Sequence, residues 1–210
     1  MLSIAHAQNR KLIVEPVVGN IHVRLDETLN WGEQGTLTIS EFKCYFSKIH
    51  LEAATGKQLS VADSVVLIDL SSDTLPAFSI PNLDGPAKLS LLVGLDSIAS
   101  TSGAMGGKLD PMYGMYWSWQ SGYINLKLSG TWVKDGRTQA FTFHLGGCQK
   151  PFENARSLEL TIQPEAAHMQ IDFQPLLQEM LLERGKVDIM SPGFPGNEAM
   201  ELFIQGIRVK

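Results

Sequence analysis

Apolar and polar residues alternate along this chain with a period of two in most of its ordered-looking stretches. The longest such run is Thr36–Leu51, with Leu37 and Ile39, then Phe42, Cys44 and Phe46, then Ile49 and Leu51. A strand turns successive side chains to opposite faces, so this run predicts one long strand. Its phase slips near Glu41 and again near Lys48, and such slips predict bulges or bends. Lys11–Val18 predicts a strand with an edge or a bend at Pro16. Asn20–Leu25 puts Ile21, Val23 and Leu25 on one face, with His22 and Arg24 on the other. Val65–Leu70, Ala87–Leu95, Met115–Gln120, Tyr123–Ser129, Thr138–Leu145, Ser157–Ile162 and Ala167–Phe173 read as further strands. Lys134-Asp135-Gly136-Arg137 predicts a hairpin turn, because Asp-Gly tolerates the backbone such turns require.

The period changes only near the C-terminus. Gln174–Arg184 spaces Leu177, Met180, Leu181 and Arg184 by three and four residues. Asp172 offers an N-cap, Pro175 suits a first turn and Gly185 a stop, so a helix is predicted there. Ser191–Gly196 reads as a loop, and Asn197 as the cap of a second helix, Glu198–Ile204. Strands separated by turns, with helices only at the end, predict an all-β fold. We expect a β-sandwich, barrel-like, with a short helical C-terminal appendage.

The chain has 210 residues, 44% of them hydrophobic and 19% charged. That length suits a single domain over 9–210. Residues 1–8 read as the remnant of a signal peptide, because Ala5-His6-Ala7 has the small-x-small form of a cleavage site. This implies export. The net charge of −5 leaves no basic footprint for nucleic acid. No apolar run approaches the ~18 residues that span a bilayer, so no transmembrane segment is expected. Cys44 and Cys148 are either a bridge or two free thiols, and we favour free thiols, since lone cysteines are commonly buried.

The chemistry concentrates between Gly94 and Gly130. This stretch holds a loop of small residues, the acids Asp96 and Asp110, and the rings Tyr113, Tyr116, Trp117, Trp119 and Tyr123. A strand over Met115–Gln120 would put Met115, Trp117 and Trp119 on one side. The plain structural reading is that these rings are core. We expect Gly94–Gly114 to be ordered against the tryptophan strand. Its acids and carbonyls suit a hard cation, with calcium the candidate.

Several blocks of the chain resemble one family. GLDS from Gly94, LDPMYGMYWSWQSGYINLKLSG from Leu109, FHLGGC over Phe143–Cys148 and TISEFKCYFSKIHL over Thr38–Leu51 are similar to the signature blocks of the MbnP-like family. Members of that family are periplasmic copper-binding proteins associated with methanobactin operons and, elsewhere, with di-haem partner enzymes. The resemblance covers most of the chain in order. It implies that a tryptophan is oxidised to a kynurenine that supports copper binding, with the oxidation carried out by a di-haem, peroxidase-like partner. Trp117 and Trp119 match the motif. Some relatives carry four cysteines where this chain has two, so no disulfide pattern carries over.

The five histidines are His6, His22, His50, His144 and His168, with no two at metal-motif spacing. Any histidine site must be assembled by the fold. His50 and His168 read as surface. His144 faces away from Phe141 and Phe143 and precedes a Gly-Gly turn; together with the resemblance this makes it the first metal candidate, and His22 the next. Asp96 and Asp110 complete the expected metal residues. No Gly-x-Ser-x-Gly elbow, Walker A loop or His-Glu-x-x-His is present, so we expect no enzyme activity of the chain's own. Two functions follow: an exported, periplasmic copper-binding protein matured by tryptophan oxidation, or a secreted sandwich that holds a glycan or protein through exposed aromatics.

Overall fold

A computed structural model describes residues 9–61, 63–72, 74–118 and 122–210. The strands, in chain order, are β1 (Asn9–Val18), β2 (Ile21–His22), β3 (Thr28–Asn30), β4 (Thr36–Ala53), β5 (Gln58–Leu59), β6 (Val65–Asp69), β7 (Ala77–Pro81) and β8 (Ala87–Val93). They continue as β9 (Tyr116–Trp117), β10 (Gly122–Lys134), β11 (Arg137–Gly146), β12 (Arg156–Ile162), β13 (His168–Asp172), β14 (Asp188–Ile189) and β15 (Ile207–Val209). The helices are α1 (Ser97–Thr101), α2 (Gln174–Leu177) and α3 (Phe194–Gln205).

These strands form two sheets. The larger runs β12-β8-β4-β10-β11-β14, with β3, β5 and β6 also on β4 and β9 on β10. The smaller runs β15-β13-β1-β2, with β7 on the other side of β1. The main core lies between them. Leu12, Val14, Phe78, Ile80, Met169 and Ile171 come from the small sheet, and Phe42, Cys44, Phe46, Leu89, Leu126 and Phe143 from the large one. Phe46 meets Phe78 edge-on across this gap, with ring centroids 6.5 Å apart. The C-terminal helices cover an end of it, where Phe42 packs on Phe173 at 4.7 Å and on Phe203 at 6.0 Å. This is the expected all-β sandwich with a short helical appendage.

Strand β4 is the long strand that the period predicts, and both phase slips fall at real irregularities. Its register with β10 shifts where Ser129 pairs Glu41 and Gly130 pairs Ile39. Its register with β8 shifts between Ser47 and His50. At that second shift Lys48 takes a left-handed backbone, φ 48°. The Asp-Gly hairpin also stands, with φ 51° at Asp135 and 72° at Gly136 between the paired Lys134 and Arg137.

Four expectations are corrected. Asn20–Leu25 is not one strand: only Ile21 and His22 pair, with Val18 and Val17, and Ile21 is 40% exposed. The chain turns at Asp26, φ 62°, whose N–H bonds the carbonyl of Ile39 instead. Of the Met115–Gln120 strand, only residues 115–118 are described, and among these β9 takes Tyr116 and Trp117 alone. The helix from Gln174 is α-helical for one turn and then widens, with Arg184 N–H reaching back five residues to Glu179. Helix α3 starts at Phe194 rather than after Asn197, because Pro195 fits an opening turn where its missing N–H costs nothing. Strand β7 was hidden in the sequence by the prolines at both ends of a five-residue run, and α1 by the small residues around it.

Both cysteines are free, Cys44 buried in the main core and Cys148 partly exposed. Burial pushes the Cys44 thiol far above the ordinary thiol range. In folded protein a thiol reagent should therefore modify Cys148 alone. Denatured, unreduced protein should titrate two thiols, and a result of none would mean a bridge.

Candidate functional site

Strand alternation gives the large sheet an outer face as well as a core face. Cys44 and Phe46 point into the main core, so Tyr45 between them points outward. There it joins a second buried cluster with Leu95, Met115, Trp117, Tyr123 and Ile124. The rings of Tyr45 and Tyr123 meet edge-on at 6.1 Å, and those of Tyr116 and Tyr123 at 5.0 Å. Tyr45 and Tyr123 are 0% and 2% exposed and Trp117 6%. An outer sheet face this apolar needs a cover, and the stretch from Gly94 onward supplies it.

The cover is tied down at its start, middle and end. Gly94 leaves β8 with φ 104°, and a Cβ there would lie 2.7 Å from Asn125, so glycine is required. Its N–H donates to the Tyr45 carbonyl at 2.7 Å and its carbonyl accepts from the Ser47 hydroxyl at 2.6 Å. The buried Asn125 side chain accepts the next N–H, of Leu95, at 3.0 Å. Further along, the Tyr45 hydroxyl donates to the Lys108 carbonyl at 3.0 Å. The Tyr123 hydroxyl donates to the Leu109 carbonyl at 2.7 Å and accepts the Met105 N–H at 2.9 Å. Burial, with Tyr123 and Tyr113 nearby, pushes the Tyr45 phenol well above its usual range. At the far end Lys43 Nζ donates to the Tyr113 carbonyl at 3.1 Å.

The two acids of this stretch serve its backbone. Asp96 caps α1, accepting the Ala99 N–H at 2.8 Å, and pairs with Lys48 Nζ at 2.6 Å. The Ala99 bond comes first and the Lys48 partner second in holding its carboxyl below the ordinary aspartate range. Asp110 caps the short turn Pro111–Tyr113, accepting the Met112 N–H at 2.9 Å. Calcium ligation would compete with these bonds.

Trp117 lies over the end of β11. A Cβ on Gly146 would stand 2.6 Å from its ring, so that glycine makes room for the indole. Along the strand, His144 is two residues from Gly146 and on the same face, a step of about 7 Å. Trp117 also lines a cavity of about 350 Å³ with Tyr123, Thr101, Cys148 and Phe152. The structure thus brings His144 and Trp117 to one face of one sheet. Trp119 lies outside the described residues.

His144 closes a row of polar residues across four strands: Asp69, Lys43, Lys127 and His144 are successive cross-strand partners. Asp69 pairs with Lys43 at 3.1 Å, and Lys127 with Glu41 at 3.6 Å. Glu41 also stands 3.9 Å from His144 Nε2. Burial first, then the Lys127 charge, holds the His144 imidazole below its ordinary pKa, against Glu41 and Asp188. A neutral imidazole is the form that ligates metals. His22 is elsewhere: it is exposed on the small sheet and lines a different cavity with Glu15 and Arg24. His50 is exposed, and the half-exposed His168 pairs with Glu15 at 2.8 Å. Among the described residues no three His, Cys, Asp or Glu side chains group closely enough to hold a metal ion. His144 therefore fits as one copper ligand, but the described acids, histidines and cysteines do not complete a site. Tyr45, Trp117 and Tyr123 are buried and offer a glycan no open aromatic platform.

Sequence reasoning missed Tyr45, Lys48, Glu41 and Lys127. Only Tyr45 carried a signal, an aromatic at an outward position of the strand that matched a family block. The polar partners carried none, because ion pairs across strands depend on register.

Comparison with known proteins bears on this site. The family model described as MbnP matches residues 7–191. A solved structure, MbnP from Methylosinus trichosporium, is similar with a TM-score of 0.58 at 17% identity, covering 81% of this chain and 78% of that one. No curated protein matches the chain.

Tyr123→Phe should leave the Met105 N–H and Leu109 carbonyl without their partner and cost about 1–3 kcal/mol. Urea unfolding measures the loss, and limited proteolysis should now cut within residues 103–109. The Asp96 carboxyl has a lowered folded pKa, so its stabilisation is complete above the ordinary value near 3.9 and fades as pH falls through the folded one. The protection factors of Ala99 and its neighbours, corrected for intrinsic exchange, should fall on acidification below about pH 4, and Asp96→Ala should show that low protection already at neutral pH.

Proposed function

The chain belongs to the MbnP family, and on that premise we propose that it is an extracytoplasmic copper-binding protein whose site is completed by oxidation of Trp117. The supporting observation is the seating of Trp117 over Gly146, two residues along β11 from a largely buried His144 with a lowered pKa. His144 would contribute an imidazole, a donor that copper favours. An indole carries no ligand for a metal; a kynurenine made from it has an aromatic amine and a ketone oxygen. The partner that makes it is a di-haem, peroxidase-like enzyme, and the chain itself has no catalytic role. Copper is preferred to calcium here because Asp96 and Asp110 already accept backbone N–H bonds. Among the described residues no helix is long and apolar enough to cross a membrane.

The reading predicts a covalent change and a dependent affinity. Protein from the native host should have an intact mass about 4 Da above the value calculated for its processed sequence, from conversion of one tryptophan to kynurenine. Peptide mapping should put the change at Trp117. Matured protein should bind copper, His144→Ala should abolish that binding with the fold intact, and unmodified protein should bind weakly. A native mass equal to that of the unmodified processed chain, or copper binding unaffected by His144→Ala, would overturn it.

A further inference from the structure

The cluster around Trp117 contains two rings that compete with it for oxidation. Tyr45 and Tyr123 are in the same buried group, and their rings meet at 6.1 Å. An electron hole created on any ring so placed can reach the others by tunnelling, so proximity does not select one of them. The proton does. A phenol gives up an electron near neutral pH only when its proton leaves to a base in the same event. An indole can hold the hole as a cation radical and release its proton later.

Among the described residues neither buried phenol meets a base. The Tyr45 hydroxyl donates its proton to the Lys108 carbonyl. The Tyr123 hydroxyl donates to the Leu109 carbonyl, with the Gly103 carbonyl at 3.5 Å, and its remaining partner, the Met105 N–H, is itself a donor. A backbone carbonyl accepts a hydrogen bond but does not take the proton. Tyr113 and Tyr116 differ, being only partly buried; water and buffer can take their protons. We propose that the carbonyls of Lys108 and Leu109 make Tyr45 and Tyr123 redox-inert, so that among the buried rings of this cluster one-electron oxidation is confined to Trp117. In that step the indole passes one electron to a one-electron oxidant, such as a high-valent haem iron, which is reduced by one electron; the two phenols keep both electron and proton. The proposal rests on the reading that Trp117 is the oxidised residue, and adds what makes the oxidation selective.

The test needs no partner. Full-length unmodified protein is irradiated near neutral pH with tris(bipyridine)ruthenium(II) and persulfate, which generates ruthenium(III) as the oxidant. Radicals are trapped by freezing for electron paramagnetic resonance, and products are mapped on peptides. The expected result is oxidation of Trp117, tyrosine products only at Tyr113 and Tyr116, and no tyrosyl radical signal in a folded Tyr113→Phe/Tyr116→Phe double variant. In urea all four tyrosines should become oxidisable, because water then receives the proton. A tyrosyl signal in folded protein that is lost in Tyr45→Phe or Tyr123→Phe overturns the proposal, as does oxidation that leaves Trp117 intact. The intact mass of native protein bears on the maturation reading alone, so the two fail separately.

Discussion

The hydroxyl of Tyr123 reaches out of a buried aromatic cluster and bonds two backbone groups, the Met105 N–H and the Leu109 carbonyl, of the segment above it. Much around Trp117 depends on that contact and on the matching one from Tyr45. A sheet whose outer face carries Tyr45, Tyr123 and Trp117 would expose a large apolar patch without a cover. The cover is rich in small residues, and Leu95, Ala99 and Leu109 are side chains it lends to the cluster. Its polar backbone is held by phenol oxygens, which gives buried hydroxyls their partners and the loop its position in one arrangement.

The bulge in β4 serves the same end. A regular strand would keep Lys48 in the pleat. The left-handed residue at the register shift instead lets it reach Asp96, the cap of α1, while Ser47 beside it holds the Gly94 carbonyl. The strained backbone of one strand and the start of the covering segment are thus joined by three polar contacts, including the Gly94 N–H on the Tyr45 carbonyl. Bulges beside functional sites commonly re-aim a side chain in this way.

The face next to this cover has the opposite character. Asp69, Lys43, Lys127 and His144 cross four strands, with charges of opposite sign paired at its two ends. Two lysines directly opposite each other would repel, and Glu41 and Asp69 offset that repulsion. His144 lies at the junction between this polar row and the Trp117 cavity. That position desolvates its imidazole and adds a cationic neighbour, and both effects keep it neutral.

How much of this was legible in the sequence differs by scale. The two-residue period specified the long strand and both of its slips, since a slip reverses which side chains can reach a core. Asp135-Gly136 specified the hairpin, because few other pairs adopt that backbone cheaply. The family blocks marked Trp117 and His144 without giving their spacing. Tertiary structure decided the rest. Alternation says that Tyr45 and Phe46 face opposite ways, but not that the outward face is also covered. Nor does it say which backbone groups the tyrosine hydroxyls meet, since these are about 14 to 63 residues away in sequence and joined only by folding. Asn20–Leu25 misled for the same reason: its alternation suited a strand, yet the turn at Asp26 leaves only two residues to pair. The chain alone determined which segments extend and where they break; the packing of one covering segment on one sheet face decided which residues form the site.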